Sequence, residues 1–344
     1  MADAVPAFRF AVIAPNHDHI NGQVRAMRDA GGAPVGFFAA EDDVAATFAA
    51  HHPDIPRVED ERRLLEDPSV ALIVSAGIPG DRAALGLRAM RHGKDYLSDK
   101  PGMVSLDELA EVRRVQAETG RIYSILYSEH FEQRATVQAG ELVRAGAIGQ
   151  VVNTVGLGPH RLRKPSRPGW FFERARYGGI LCDIASHQCE QFLFFADTTE
   201  AEVLSATIGN HANADRPGLQ DFGDFHLRGG GATGYVRVDW YTPDGLPVWG
   251  DGRLTILGTE GYIELRKYVD IAGRPGGDHL FLVDRQGMRH IDCSGVELPF
   301  GRQFAADLRD RTETAMPQAR CFKAMELALT AQRMAEAMTE GQRA

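Results

Sequence analysis

Two stretches of this 344-residue chain carry side chains that could act as acids, bases or ligands. The first is SDKPG, in which Lys100 follows a short predicted strand over residues 95–98. The second is GGILCDIASHQCEQ, which predicts a helix over residues 179–195. Asp183 and His187 lie four positions apart in that helix, so we expect them to share one face. Each motif alone is also typical of an ordinary solvated surface.

The opening loop, APNHDHI, is the third such stretch, and it leaves three interpretations open. In a chain of alternating strands and helices, the turn after the first strand usually carries glycines that let a dinucleotide's phosphates approach. The loop could be a modified nucleotide site. His17 and His19 could instead bind zinc, with Asp183 or His187 as the third ligand. Finally, the two histidines could merely cap the next helix.

Alternating elements in the first third of the chain would position Lys100. We predict strands over 8–14, 34–39, 70–76, 95–98 and 121–127, separated by helices near 20–30 and over 43–51, 60–66, 81–92 and 105–119. Repeated strand–helix units of this length predict a doubly wound parallel sheet with right-handed crossovers. Such sheets bind ligands at the carboxyl ends of their strands, which is where Lys100 falls.

The pattern changes after residue 125. A helix is predicted over 134–145, a strand over 151–156, three hairpins between 224 and 293, and a long helix over 318–339. We therefore expect an α/β Rossmann domain over 1–125 for the dinucleotide, and an α+β domain over 126–344 for substrate binding and oligomerisation. The second domain would contain an open, mostly antiparallel sheet, and the last helix could pack on either domain. An uncovered apolar sheet face predicts a homodimer or homotetramer.

Composition excludes several classes of partner. The net charge of −9, together with the lack of a Lys and Arg run dense enough to reverse it, argues against nucleic acid and membrane partners. Four cysteines without a CxxC pair predict reduced thiols and a cytoplasmic protein. We recognise neither a signal peptide nor a stretch long enough to span a membrane.

Taken together, these motifs resemble those of the glucose–fructose oxidoreductase/inositol dehydrogenase (Gfo/Idh/MocA) family, over nearly the whole chain. The family's Glu-Lys-Pro motif is similar to Asp99-Lys100-Pro101 here, and its GTEG hairpin occurs at residues 258–261. Its Gly-Gly…Asp-x-x-x-His helix corresponds to Gly178-Gly179…Asp183 and His187, and AGAIGQV at 145–151 resembles its link between domains.

The resemblance implies an NAD(P)-dependent dehydrogenase of sugars, inositols or related polyols. Lys100 and His187 would then converge on the substrate carbinol beside the nicotinamide. An alcohol loses hydride only if its hydroxyl proton also leaves, and an imidazole is the usual base for that proton near pH 7. The charge of the oxidised nicotinamide would favour a neutral Lys100, and Asp183 would hold sugar hydroxyls or orient His187.

The family's G-x-G-x-x-G loop is altered in this chain. Ala14 and Asn16 replace the first two glycines, His19 or Ile20 replaces the third, and we expect Asn16 to adopt the turn conformation because asparagine tolerates positive φ. Acidic residues after the second strand favour NAD over NADP. The cofactor residues that we predict are Ala14, Asn16, His17, His19, Ile20, Glu41, Ser75, Ala76, Pro79, Asp99 and Lys100, and we predict no metal.

Polar and aromatic residues near these motifs are the expected substrate contacts. They are Tyr127, Glu129, His160, Arg161, Trp170 and Tyr177, in addition to Asp183 and His187. The basic loop around residues 159–170 could bind an anionic sugar, such as a uronate or sulfonate, but we expect it to be solvated. Two alternatives stay open: a glycoside-cleaving enzyme that uses NAD transiently, with Tyr177 or Glu129 as the acid, and a nonenzymatic sugar- or nucleotide-binding protein.

Overall fold

The computed structural model describes residues 7–341, which form two compact units. The first unit contains the residues up to Leu126 and also Pro299–Phe322. The second contains Tyr127–Leu298 and the chain from Lys323 onward. The segment Pro299–Phe322, which we expected in the second domain, therefore belongs to the first unit.

The elements are numbered in chain order. The strands are β1 (Phe8–Ile13), β2 (Gly32–Phe38), β3 (Leu72–Ser75), β4 (Asp95–Asp99), β5 (Tyr123–Leu126), β6 (Val151–Pro159), β7 (Ala201–Gly209), β8 (Phe222–Gly229), β9 (Ala232–Asp239), β10 (Arg253–Gly258), β11 (Tyr262–Arg266), β12 (His279–Asp284) and β13 (Gly287–Asp292). The helices are α1 (His19–Asp29), α2 (Asp42–His51), α3 (Arg62–Leu65), α4 (Pro79–Arg91), α5 (Leu106–Thr119), α6 (Ser128–Phe131), α7 (Arg134–Arg144), α8 (Arg174–Tyr177), α9 (Ile180–Asp183), α10 (Ser186–Phe195), α11 (Phe300–Asp310) and α12 (Gln318–Gly341).

A five-stranded parallel sheet in the order β2-β1-β3-β4-β5 forms the centre of the first unit. Every residue of β3 and β4 is buried, as expected for strands covered by helices on both faces. Helix α5 begins with the predicted capping box between Ser105 and Glu108, and it ends at Gly120 in the left-handed conformation. The predicted doubly wound parallel sheet is confirmed.

Direct contacts explain why Pro299–Phe322 joins the first unit. A Cβ at Gly301 in α11 would lie 2.8 Å from the carbonyl oxygen of Ala26 in α1, so the two helices touch at this glycine. The side chain of Gln318 both accepts from and donates to the main chain of Tyr123, at 2.9 and 3.1 Å, and so pairs both main-chain groups of this residue in the edge strand β5. A polar side chain that pairs an edge strand is not visible from hydrophobic periodicity.

An eight-stranded sheet in the order β13-β12-β11-β10-β6-β9-β8-β7 forms the second unit. Only β6 and β9 pair in parallel, so the predicted mostly antiparallel sheet is confirmed, as are the three hairpins β8–β9, β10–β11 and β12–β13. Helices α7, α9 and α10 pack on this sheet. Residues alternate along β10, with Ile256 buried and Leu257 exposed, and Tyr262 on the neighbouring strand is also exposed. Association through this face remains a prediction.

The predicted helix over 179–195 is interrupted. Helix α9 ends at Asp183, and α10 begins at Ser186, so Asp183 and His187 lie on consecutive short helices rather than on one face of a single helix. The amide of His187 donates to the carbonyl of Ile184, three residues back, which tightens the backbone at the junction.

The cysteines and the hydrophobicity of the helices bear on two expectations drawn from the composition. All four cysteines are buried, and none of them forms a disulfide. Among residues 7–341, no helix has both the length and the apolar character needed to cross a membrane.

Candidate functional site

A cavity of about 300 Å³ opens in the first unit, beside the carboxyl ends of β1, β2 and β3. The sheet order reverses on either side of β1, and doubly wound folds bind ligands at such a switch point. The lining residues are Ile13, Ala14, Asn16, Phe38, Ala40, Glu41, Glu61, Ser75, Gly77, Ile78, Asp81, Arg82, Ala84, Leu85 and Arg88. Four predicted cofactor residues are among them.

The turn after β1 is made by Ala14 rather than by Asn16. Ala14 has a φ of +56°, in the left-handed region, so the expectation that Asn16 provides the turn is wrong. The amide of Ala14 donates to the carbonyl of Phe38 at 2.9 Å, which ties the turn to β2. A Cβ at Gly77 would lie only 3.1 Å from the Cβ of Ala14. A glycine at position 77 therefore leaves room for the side chain of Ala14, which lies directly against it.

The end of β2 presents negative charge to the cavity. Glu41 lines the cavity, and its Oε2 accepts from Asn16 Nδ2 at 3.4 Å. Arg57 donates to Asp42 Oδ1 at 2.8 Å and to the carbonyl of Ala39, so its cation is already engaged.

His17, His19 and Asp99 form a cluster that sequence spacing did not reveal. Their possible ligand atoms lie within 4.8 Å of one another, so Asp99, rather than Asp183 or His187, is the third group beside the two histidines. A cation already lies beside the cluster, because Arg82 Nη2 is 3.0 Å from Asp99 Oδ2. Lys100 and Arg82 also act on His17 electrostatically. Positive charge beside His17 and Asp99 disfavours a metal ion, and we assign none.

His17 also has the capping role that was one of our alternatives. Its Nδ1 accepts from the amide of His19, the first residue of α1, at 3.2 Å. Burial lowers the pKa of His17 well below its ordinary value, and His19 adds to the effect. A neutral ring that accepts a hydrogen bond is consistent with this environment.

Arg82 is the main residue of this site that the sequence analysis missed. It is 2% exposed and extends from α4 to the Asp99-Lys100-Pro101 turn. Its guanidinium donates to the carbonyls of Gly77, Lys100 and Pro101, besides its bond to Asp99. Lys100 itself is 7% exposed. An arginine on a helix usually suggests a solvated face, so only the fold reveals this role.

Other predicted cofactor residues lie outside the cavity lining. Ile20 is buried on the inner face of α1, and Ala76 is completely buried after β3. Pro79 is the first residue of α4, where its fixed φ suits a helix start. Their observed contacts are those of packing and helix initiation.

The second unit contains Asp183 and His187, both buried. The ring of His187 meets the fully buried ring of Tyr127 edge-on, with centroids 6.0 Å apart. Burial lowers the pKa of Arg167, and the nearby carboxylate of Asp183 opposes that shift. The guanidinium of Arg167 stacks 4.3 Å from the centroid of Phe171, so this part of the basic loop is not solvated as we expected.

Glu129 is held inside the second unit. Its Oε2 accepts from Lys267 Nζ at 2.7 Å and from Gln188 Nε2 at 2.9 Å, and its side chain is 1% exposed. An ionised carboxylate in this setting needs its partners to offset the loss of water. Glu129 therefore has the surroundings of a structural ion pair rather than those of a substrate contact.

The remaining predicted substrate contacts differ in their surroundings. Tyr177 is buried, and its hydroxyl accepts from the amide of Gln220 at 3.0 Å. Arg161 donates to two main-chain carbonyls. The ring of His160 lies 4.5 Å from that of Trp249. Trp170 is half-buried and touches Phe171 edge-on.

Comparisons with known proteins agree with this architecture. A model of the GFO/IDH/MocA C-terminal domain matches residues 136–264. The crystal structure of a proposed oxidoreductase from Erwinia carotovora atroseptica SCRI1043 is 45% identical, with a TM-score of 0.93, and the match covers 95% of this chain and 98% of that one. Levoglucosan dehydrogenase, solved with NADH and levoglucosan, is 18% identical, with a TM-score of 0.78 and 97% of both chains covered, and so supports the fold alone.

Curated relatives match over shorter lengths. The scyllo-inositol 2-dehydrogenase (NAD(+)) of Bacillus subtilis (strain 168) is 24% identical over 244 residues, or 67% of each chain. Alignments with further curated relatives span 33% to 59% of those proteins. From the family match, the 45% identity over nearly the full length and the two-sheet architecture, we conclude that the chain belongs to the Gfo/Idh/MocA family of oxidoreductases.

Proposed function

We propose that this protein is an NAD-dependent oxidoreductase that acts on a secondary hydroxyl of a sugar, sugar derivative or inositol-like polyol. The observation that carries the proposal is the cavity at the sheet's switch point, whose walls combine the loop after β1 with the ends of β2 and β3. Dinucleotides bind doubly wound folds at this position.

The residues of the cavity suit a dinucleotide. Ile13, Phe38 and Ile78 provide apolar walls, and Asn16 and Ser75 provide hydrogen-bonding groups. The first residues of α1 follow directly, and a helix N-terminus favours phosphate groups. When bound, the nicotinamide would supply the hydride acceptor, and the protein would supply position and proton transfer.

Proton transfer is assigned to Lys100 and His187. Oxidation of an alcohol requires a base for the hydroxyl proton, and imidazole and amine groups can both accept one. Lys100 belongs to the first unit and His187 to the second, so their convergence on one substrate atom is part of the proposal. The carboxylate of Asp183 interacts electrostatically with Arg167. We assign it the role of binding sugar hydroxyls or orienting His187.

A carbohydrate or polyol substrate is supported by the relatives. One is named for scyllo-inositol, and a structure of similar fold was solved with levoglucosan. Both molecules carry several secondary hydroxyls on a ring. The exposed and half-buried aromatic residues Trp170 and Trp249 suit sugar rings, which pack on aromatic faces.

The glycoside-cleaving alternative gains no support from the structure. It requires a general acid, and the two candidates were Tyr177 and Glu129. Both are buried and hydrogen-bonded within the second unit. Burial also raises the pKa of Tyr177 far above its ordinary value, which makes proton release harder. The nonenzymatic alternative predicts no turnover with any polyol. A dehydrogenase screen therefore distinguishes it from the proposed oxidoreductase.

The test is a dehydrogenase screen with NAD and NADP across sugars, sugar acids, inositols and glycosides, read as NADH absorbance. Lys100→Ala and His187→Ala should each reduce kcat by about 100-fold or more, the range expected for a lost general base or acid. Lys323→Ala and His226→Ala are matched controls, since these side chains lie on α12 and on an exposed position of β8. Full activity in Lys100→Ala or His187→Ala would refute the assignment.

A further inference from the structure

Two departures from the family's motifs touch each other in the structure. His19 is one of the two residues that could replace the third glycine of the family's nucleotide loop, and Asp99 corresponds to the glutamate of the family's Glu-Lys-Pro motif. They are 80 residues apart in sequence, yet His19 Nδ1 lies 3.0 Å from Asp99 Oδ1. A glycine at position 19 would leave this oxygen without that partner. A glutamate at position 99 would be one methylene longer and would have to shift to avoid the imidazole.

Asp99 uses its second oxygen to bind Arg82. Asp99 Oδ2 accepts from Arg82 Nη2 at 3.0 Å, and both side chains are almost completely buried. The same guanidinium reaches the carbonyl of Pro101 at 3.0 Å and that of Lys100. A continuous set of hydrogen bonds therefore runs from the start of α1 to the main chain of the residue proposed as a catalytic group.

The stability of the hydrogen-bonded set His19, Asp99 and Arg82 depends on all three members, because they are ionic partners. Burial alone would raise the pKa of Asp99, but the charges of His19 and Arg82 hold it well below its usual range. Removing one member of a buried ionic set leaves the others without compensation, which is usually more destabilising than replacing the whole set. His19 is the most accessible member, with 39% of its side chain exposed, so it can be changed with little disturbance of packing.

We infer that His19 and Asp99 are a reciprocal replacement, and that with Arg82 they form a bridge that positions Lys100 relative to the nucleotide loop. In this chain the loop and the Lys100-Pro101 turn would thus be coupled by side chains rather than by close glycine packing. His19, Asp99 and Arg82 are positioning residues in this scheme. The inference rests on the proposed function, because it assigns the bridge a role through Lys100.

The test is a double-mutant cycle that restores the family residues. His19→Gly and Asp99→Glu should each lower kcat by roughly tenfold, because a small misplacement of a catalytic group is costly. The double variant should recover to within about threefold of the wild type, since coupled neighbours are non-additive. His19→Gln keeps a hydrogen-bond donor and should retain most of the activity. The losses in kcat should persist at saturating NAD, because the bridge acts through Lys100 rather than through cofactor affinity.

A matched control restores a different glycine of the same loop. Asn16 bonds to Glu41 rather than to Asp99, so Asn16→Gly should not rescue Asp99→Glu. If the losses in kcat of the two single variants are additive, the bridge is refuted. If the activity of His19→Gly falls only because NAD binds more weakly, the bridge is also refuted, and direct cofactor contact is the role of His19.

A second readout separates this inference from the proposed function. The free energy of unfolding is measured for the same four proteins without cofactor. The contact between His19 and Asp99 should make the effects of the two substitutions non-additive by at least a factor of two in the unfolding equilibrium constant. A wild type that oxidises no polyol refutes the proposed function, and with it the positioning role. An active wild type without coupling in either readout refutes the bridge alone.

Discussion

The ammonium of Lys267 lies 2.7 Å from Oε2 of Glu129, in the interior of the second unit, where both side chains are at most 1% exposed. The same ammonium donates to Gln191 Oε1 at 2.8 Å, and Gln188 donates to the same carboxylate. Both glutamines belong to α10, which also carries His187. The ion pair therefore connects α10 to α6 and to the chain that follows β11.

Lys267→Met should lower the free energy of unfolding by about 3–5 kcal/mol, because it leaves the carboxylate of Glu129 buried without its counter-charge. Lys267→Met combined with Glu129→Leu should recover most of the loss, since an apolar pair removes both desolvation penalties. Urea denaturation at constant pH measures both variants.

A surface ion pair provides the matched control. Arg228 and Glu202 pair across β8 and β7, with 62% and 59% of their side chains exposed. Arg228→Ala should cost no more than about 1 kcal/mol, because solvent screens the pair. Equal losses for Lys267→Met and Arg228→Ala would show that burial does not determine the strength of the Lys267–Glu129 pair.

Tyr177→Phe tests whether this ring is a packing residue. The hydroxyl accepts from the amide of Gln220, so its removal should cost about 1 kcal/mol of unfolding free energy. The KM for any substrate found in the screen should change by less than about twofold, since the hydroxyl already bonds to the main chain of Gly218 and Gln220. A large increase in KM with unchanged stability would restore Tyr177 as a substrate contact.

Local sequence signals predicted the elements of the fold well. The apolar run in β3, the capping box at Ser105 and the glycine turn of the β8–β9 hairpin each depend on neighbouring residues, and each is confirmed. The same holds for the buried residues Val24 and Met27 at helical spacing in α1. Patterns of this kind report local conformation and the side that faces a core.

The parts that sequence did not reveal depend on long-range contacts. Arg82 has the spacing of an ordinary helix position, and only the fold shows its guanidinium enclosing the Lys100-Pro101 turn. Lys267 and Glu129 are 138 residues apart, so no local pattern relates them. The motif around Asp183 correctly marked a helical region, but the break before Ser186 falls at Ile184 and Ala185, where no glycine or proline signals it.

His17 should make stability depend on pH on the acid side of neutrality. Burial lowers the pKa of its folded state well below the ordinary 6.5, so the unfolded chain binds a proton more readily. The contribution is fully present above pH 6.5 and is lost as the pH falls toward the folded pKa, by at most about 1.4 kcal/mol per pH unit. The free energy of unfolding, measured by urea denaturation at several pH values between 8 and about 5, gives this slope.

The variant that isolates this effect is His17→Asn. An asparagine side chain can still accept from the amide two residues on, which here is that of His19, but it does not titrate. The slope of unfolding free energy against pH should therefore be shallower in His17→Asn than in the wild type. Identical slopes would mean that His17 does not resist protonation in the folded protein.

Glu41 should determine the choice between NAD and NADP. Its carboxylate lines the cavity at the end of β2, where it would repel a 2′-phosphate, and the nearby Arg57 is engaged by Asp42. Glu41→Ser should strengthen NADP binding by about tenfold, equivalent to about 1.4 kcal/mol of relieved repulsion. Calorimetry with both cofactors measures the ratio. Asp43→Ser removes an exposed carboxylate that does not line the cavity, so the ratio should stay constant there. A NADP affinity that rises equally in both variants would indicate a general charge effect rather than recognition by Glu41.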